Sequence, residues 1–226
     1  MKDILKTGVT LMLFTLVAGL VLGLVYAGVK GRIEKADREA KLKAIEYVLK
    51  DPLTGNYLVK ESEIEKVVKK TGIESVVLEE TPKGIVYGPV YEFKTNDGKI
   101  AFVLSSAAPG FGGNVVTVAC FLKEDGDFSL NSIKVIEYSQ ETPGLGAKIA
   151  EEDIQKRFFP VPPTGLRRGL KVDKDAGSPP GSPKELRKKG IIKTSDVMTG
   201  ATITPRAVVT SLNLMYEYLK KKFGEG

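Results

Sequence analysis

The sequence has no histidine and no tryptophan, and only one cysteine in 226 residues. Without histidine there can be no Ser-His-Asp triad, and no imidazole to ligate zinc or haem. A lone cysteine, Cys120, can neither hold an iron–sulfur cluster nor close an internal disulfide. Its setting, Val116-Thr117-Val118-Ala119-Cys120-Phe121-Leu122, reads as core packing around a small thiol. Any redox chemistry would have to come from a bound organic group.

The net charge of +6 is unevenly spread. Residues 1–50 carry nine basic and five acidic side chains, and residues 163–193 carry nine and three, so the rest of the chain is acidic on balance. The chain shows neither zinc-finger spacing nor an aromatic–basic run, so nucleic acid is not an expected partner.

From Thr7 to Val29 run 23 residues without a charge. As a helix at about 1.5 Å per residue they reach across a hydrocarbon core of about 30 Å. The alternative is a cleaved signal peptide, with Val25-Tyr26-Ala27 as a small-residue cleavage site. The length of the stretch favours an uncleaved anchor. Lys2 and Lys6 precede the span and six lysines and arginines from Lys30 to Lys43 follow it. By the positive-inside rule that count puts the bulk of the chain in the cytoplasm.

Apolar spacing predicts a helix over Arg32–Lys50, stopped by Asp51-Pro52. Ser62-Glu63-Ile64-Glu65 reads as a capping box opening a short helix through Lys70, closed by Thr71-Gly72. Between Ile73 and Tyr138, β-branched and aromatic runs alternate with turns. Asn96-Asp97-Gly98 separates the strands Val90–Lys94 and Lys99–Ser105, and residues 123–127 separate Val115–Leu122 and Ser129–Tyr138. A short helix is predicted over Ala150–Phe159. Residues 160–193, rich in Pro, Gly and Lys, read as a long loop. Thr204-Pro205 reads as N-cap and first residue of a last helix to Phe223, with Val208, Leu212, Met215, Tyr216 and Leu219 on its apolar face. The expected class is α+β: an N-terminal transmembrane helix (1–30), a helical connector (31–72), and a two-layer domain (73–226) with a largely antiparallel sheet and packed helices.

Two stretches carry chemistry. Glu141-Thr142-Pro143-Gly144-Leu145-Gly146-Ala147-Lys148 follows a strand, and Asp196-Val197-Met198-Thr199-Gly200-Ala201-Thr202 precedes the last helix. In the second, small residues leave the backbone open between hydroxyls, beside a helix N-terminus that favours anions.

Taken together and in this order, with Gly110-Phe111-Gly112-Gly113 upstream and a single anchor, they resemble a known FMN-binding domain. It is shared by the RnfG subunit of the Rnf electron-transport complex and the corresponding FMN-carrying subunit of the Na+-translocating NADH:quinone reductase. Residues 196–202 fit the family's flavinylation pattern, Asp-x-x-(Ser/Thr)-Gly-Ala-(Ser/Thr), at every defined position.

The resemblance implies covalent FMN, joined to Thr202 by a phosphoester, with Thr199, Gly200 and Ala201 beside it. It implies Thr142, Leu145 and Gly146 next to the flavin, and Lys174 as the match to a lysine near the ring; the alternative for Lys174 is a solvated loop charge. Asp196 would belong to the pattern read by a flavin transferase, its alternative being an Asx turn. The implied role is electron transfer within an ion-translocating ferredoxin:NAD+ oxidoreductase. Partners would be iron–sulfur and flavin subunits and the lipid bilayer, with the domain outside the cytoplasmic membrane, against the positive-inside count. The alternatives are the equivalent quinone reductase component and a tethered interaction module using its basic 163–193 segment.

Overall fold

Helix α1 is Lys2–Val48. The structure is a computed structural model that describes residues 2–124 and 126–224; Asp125, in the predicted turn at 123–127, lies outside the described residues. Residues 1–40 and 41–226 form two separate units. The first is helical, and its apolar side chains, such as Leu11, Phe14 and Leu22, are exposed. This helix is long and apolar enough to cross a membrane.

In the second unit α1 ends where expected. The Asp51 carboxylate accepts the amides of Leu53 and Thr54, each at 2.8 Å, a turn the helix cannot pass through. These amides hold the Asp51 carboxyl below its ordinary range. Asn131 fastens this end to the sheet, donating from Nδ2 to the carbonyls of Val48 and Lys50, each at 2.9 Å. Helix α2 is Glu61–Thr71. Its N-cap is Lys60 and no side chain caps it, so the predicted Ser62 capping box does not form; Ser62 lies inside the first turn. Gly72, at φ 87°, closes α2 in a conformation that favours glycine.

The sheet is an antiparallel meander of β1 (Val76–Thr81), β2 (Gly84–Lys94), β3 (Ile100–Pro109), β4 (Asn114–Glu124) and β5 (Asp127–Glu137), in that order. Side chains alternate between faces. Phe102, Leu104, Ala119 and Phe121 enter one core, and Ala101, Val103, Val118 and Cys120 enter the other. The first is covered by the last helix, α6 (Ile203–Phe223), whose Val208, Leu212, Met215, Tyr216 and Leu219 are all buried. The second is covered by Ile45 and Val48 of α1 and by Ile64 and Val68 of α2. The α+β class and the antiparallel sheet are as expected, and this second helical cover adds a layer. Cys120 is a core residue, its thiol pushed up by complete burial. Tyr91, in the same core, donates to Gly72 O at 2.8 Å, and burial pushes its phenol up to about 12.

The segment after β5 is more ordered than a loop. It holds a 3-10 turn (Gly146–Ala150), α3 (Glu152–Gln155), α4 (Pro163–Leu166), β6 (Lys171–Val172), a second 3-10 turn (Asp173–Ala176), α5 (Pro183–Lys188) and β7 (Ile191–Ile192). The predicted helix over Ala150–Phe159 is thus one short turn. Prolines open α4 and α5 at their first positions, where the missing amide costs nothing. Ser182 and Glu185 form a true capping box on α5. Leu166, Leu170, Val172 and Ile192 carry the segment into the α6-side core.

Phe121→Ala, at a side chain with 0% exposure, should cost about 3–5 kcal/mol in urea unfolding. A chain starting at residue 41 should unfold cooperatively. One starting at residue 73 loses the cover over Val103 and Val118, and should aggregate or melt at a lower temperature in calorimetry.

Candidate functional site

Three chain segments meet above the N-terminus of α6: the β3–β4 loop at 110–113, the loop at 140–146, and the turn at 198–204. Between them lies a cleft of about 170 Å³. Thr142, Leu145, Gly146, Gly200, Ala201 and Thr202 line it, and all six belong to the two stretches that the sequence marks. Phe111, Glu141, Ile203 and Thr204 complete the lining. Phe111, Leu145 and Ile203 leave 68%, 44% and 41% of their surfaces exposed, an apolar rim open to solvent.

The segments are stitched by the Glu141 carboxylate, which is buried. Its Oε1 accepts the Phe111 amide at 2.8 Å, and its Oε2 accepts the Thr204 hydroxyl in a short contact. The glycines are required by close approach. A Cβ on Gly110 would strike Glu141 Oε1, and one on Gly146 would strike Glu141 Oε2 and Thr204 Oγ1. A Cβ on Gly112 would strike the Gln140 carbonyl. The Gly-Phe-Gly-Gly run is therefore shaped to lie on residues 140–141. Gly200, at φ 83°, makes the turn into α6 in a left-handed conformation that favours glycine.

Thr202, not Thr204, is the N-cap of α6, because Thr204 sits inside the first turn with its hydroxyl committed to Glu141. The Thr202 side chain makes no capping hydrogen bond. An N-cap hydroxyl ordinarily accepts the second or third amide of the helix from an extended backbone. Here the third residue is Pro205, which has no amide, and Thr202 has a helical backbone at φ −95°, ψ −29°. The hydroxyl instead accepts Lys174 Nζ at 3.1 Å. The Ile203 and Thr204 amides precede the first helical bond, from Arg206 N–H to Thr202 O at 3.3 Å. This end of α6 carries partial positive charge beside the Lys174 ammonium.

Lys174 is delivered by two acidic neighbours. Asp173, buried, accepts the amides of Thr194 and Ser195 and the Ser195 hydroxyl, joining its 3-10 turn to the segment leading into the cleft. Asp175 forms a two-pronged pair with the Arg206 guanidinium on the first turn of α6, with Nε at 2.8 Å. That hydrogen-bonded pair lowers the Asp175 carboxyl and raises Arg206.

Two residues of the second stretch face elsewhere. Thr199 donates to Ser195 O at 3.3 Å and does not line the cleft. Asp196 pairs with Arg157 at 3.0 Å, an ion pair and not the Asx turn that is its alternative. Glu141 and Thr204 are site residues that the sequence does not single out as such. The available signal is an acidic residue opening the first motif, but its partners lie 30 and 63 residues away.

Residues 110–217 match the FMN-binding domain family. The G subunit of an ion-translocating oxidoreductase complex from Vibrio atlanticus is 26% identical over 225 residues, covering 98% of this chain and 92% of that protein. Its counterpart from Aliivibrio fischeri is 25% identical over 211 residues, covering 92% and 86%. A Thermotoga maritima crystal structure, described as a candidate RnfG subunit of an electron transport complex, is 61% identical. It covers 81% of this chain and 97% of that one, with a TM-score of 0.71. The cleft lies within the matched domain, and the chain belongs to the RnfG family of FMN-binding subunits.

Proposed function

We propose that this chain is the covalently flavinylated electron-carrying subunit of an Rnf-type ion-translocating ferredoxin:NAD+ oxidoreductase, with FMN joined to Thr202 through a phosphoester. The observation that carries this reading is the Thr202 hydroxyl. It stands at the cleft, free of helix capping, 3.1 Å from Lys174 Nζ and ahead of the first amides of α6.

The residues fit an FMN phosphate. A phosphodiester carries one negative charge, and the α6 N-terminus stabilises it by about 0.3–1 kcal/mol, more where partly buried. Lys174 adds a charge-assisted donor. Gly200 and Ala201 keep the approach to Thr202 open. Leu145, Phe111 and Ile203 offer apolar surface to a ring system, and Thr142 and Gly146 lie on the same wall. At about 170 Å³ the cleft is smaller than the ~300–1,000 Å³ pockets that enclose a ligand of comparable size. A cofactor held here keeps part of its surface outside, which suits electron exchange with neighbouring subunits and makes a covalent tether valuable.

FMN, when bound, supplies the redox chemistry that the side chains of this chain lack. Attachment needs a flavin transferase, with the Thr202 oxygen displacing AMP from FAD and its hydroxyl proton leaving. Asp196 and Thr199, which face away from the cleft, fit a role in recognition by that transferase. The first unit fits a single-pass anchor in the cytoplasmic membrane, with the FMN domain on the extracytoplasmic side. A tethered cofactor is most useful there, since lost FMN is not replaced from the cytoplasm. The partners in this reading are the iron–sulfur and flavin subunits of the complex and the bilayer.

Co-expressed with a flavin transferase, the chain should run as a fluorescent band on a denaturing gel. Thr202→Ser should keep that band and Thr202→Ala abolish it; a Thr202→Ala band as bright as wild type would refute the attachment site. Sidedness is tested by protease: digestion of the FMN domain in intact spheroplasts and protection in inverted vesicles are expected, and the reverse pattern would place it in the cytoplasm.

A further inference from the structure

We infer that Glu141 is the positioning residue of this flavin site and that its carboxylate lowers the reduction potential of the flavin held there, an inference resting on the FMN reading above. Glu141 is 4% exposed and lines the cleft between the two loops and the first turn of α6. Through Phe111 N–H it fixes the β3–β4 loop, and through the Thr204 hydroxyl it fixes the helix turn that presents Thr202. The space for it is reserved, because side chains at Gly110 and Gly146 would occupy the positions of its two oxygens.

Stitching alone does not need a charge. A glutamine in the same shape would accept the Phe111 amide with its oxygen and donate to the Thr204 oxygen with its nitrogen. A carboxylate at the same place is costly to bury and persists where it is held by donors. Both of its partners here are neutral, so its charge is solvated by dipoles and not cancelled. Within a low-dielectric wall that charge acts on whatever occupies the cleft and opposes the arrival of electrons. The positive groups, Lys174 and the α6 amides, stand at the Thr202 end.

The test uses the full chain, co-expressed with a flavin transferase and purified in detergent, read by intact mass and by spectroelectrochemical titration. Wild type carrying covalent FMN, with Thr202→Ala carrying none, establishes the underlying reading; wild type without covalent FMN refutes that reading and withdraws this inference with it. On a flavinylated background, Glu141→Gln should keep full attachment and shift the reduction equilibrium at least tenfold toward the reduced form, about 30 mV for a two-electron couple. A Glu141→Gln potential equal to wild type would overturn the inference while leaving the attachment site standing. Should Glu141→Gln not fold, Thr204→Val removes one donor and keeps the carboxylate. It should shift the potential and reduce the attached fraction, and a Thr204→Val protein equal to wild type in both would overturn the inference.

Discussion

Strands β3 and β4 have no face left for water. Phe102, Leu104, Ala119 and Phe121 point one way, Val103, Val118 and Cys120 the other, and all are at most 2% exposed. Such strands need a cover on each side. On one side it is α6, seated at its far end by Phe223 against Phe102, with ring centroids 4.7 Å apart, and by Lys123 donating to Phe223 O at 2.7 Å. On the other side it is the end of α1 with α2. Once α6 lies across the sheet, its N-terminus meets the β3–β4 loop and the loop after β5, and the cleft forms at that meeting.

The chemistry of the site follows from how the first turn of α6 distributes its polar groups. Pro205 removes one of the two amides that could occupy the Thr202 hydroxyl, and the helical backbone of Thr202 is not that of an ordinary cap. Thr204 gives its hydroxyl to Glu141, Arg206 reaches outward to Asp175, and Lys174, on the same 3-10 turn as Asp175, arrives at Thr202. Four neighbouring residues thus have four assignments, and the hydroxyl left beside the helix amides belongs to Thr202. The exposed apolar rim of Phe111, Leu145 and Ile203 suits the proposed carrier role, in which a bound cofactor would be reached by other proteins.

Local patterns make much of this legible. The Asn96-Asp97-Gly98 turn, the Asp51 stop, the Gly72 closure and the apolar face of α6 each depend on residues a few positions apart, and each can be placed from sequence. The Thr199-Gly200-Ala201-Thr202 run marks the cleft for the same reason. What escapes depends on distant partners. Thr204 looks like an N-cap until Glu141 claims its hydroxyl, and Ser62 looks like one until the helix starts earlier, after Lys60. Residues 160–193 look like a loop because Pro and Gly dominate; Pro163 and Pro183 in fact start helices, and Leu166, Leu170 and Ile192 are core residues whose spacing follows no single period. The cover supplied by α1 and α2 reads as a connector because the face of the sheet it protects is visible only once the strands are paired. Lys174 stands out through resemblance alone, since its exposed side chain and loop setting carry no local signal.

The proposed attachment of the cofactor to Thr202 is the point on which the rest turns. Trypsin should release residues 194–206 as one peptide, between Lys193 and Arg206, and this peptide contains Thr194, Ser195, Thr199, Thr202 and Thr204. Fragmentation of that peptide from the flavinylated protein tests the assignment most directly. The mass of one FMN less one water is expected on Thr202 and on no other hydroxyl. The same mass on Thr199 or Thr204, or an unmodified peptide from a protein that carries covalent flavin elsewhere, would contradict it.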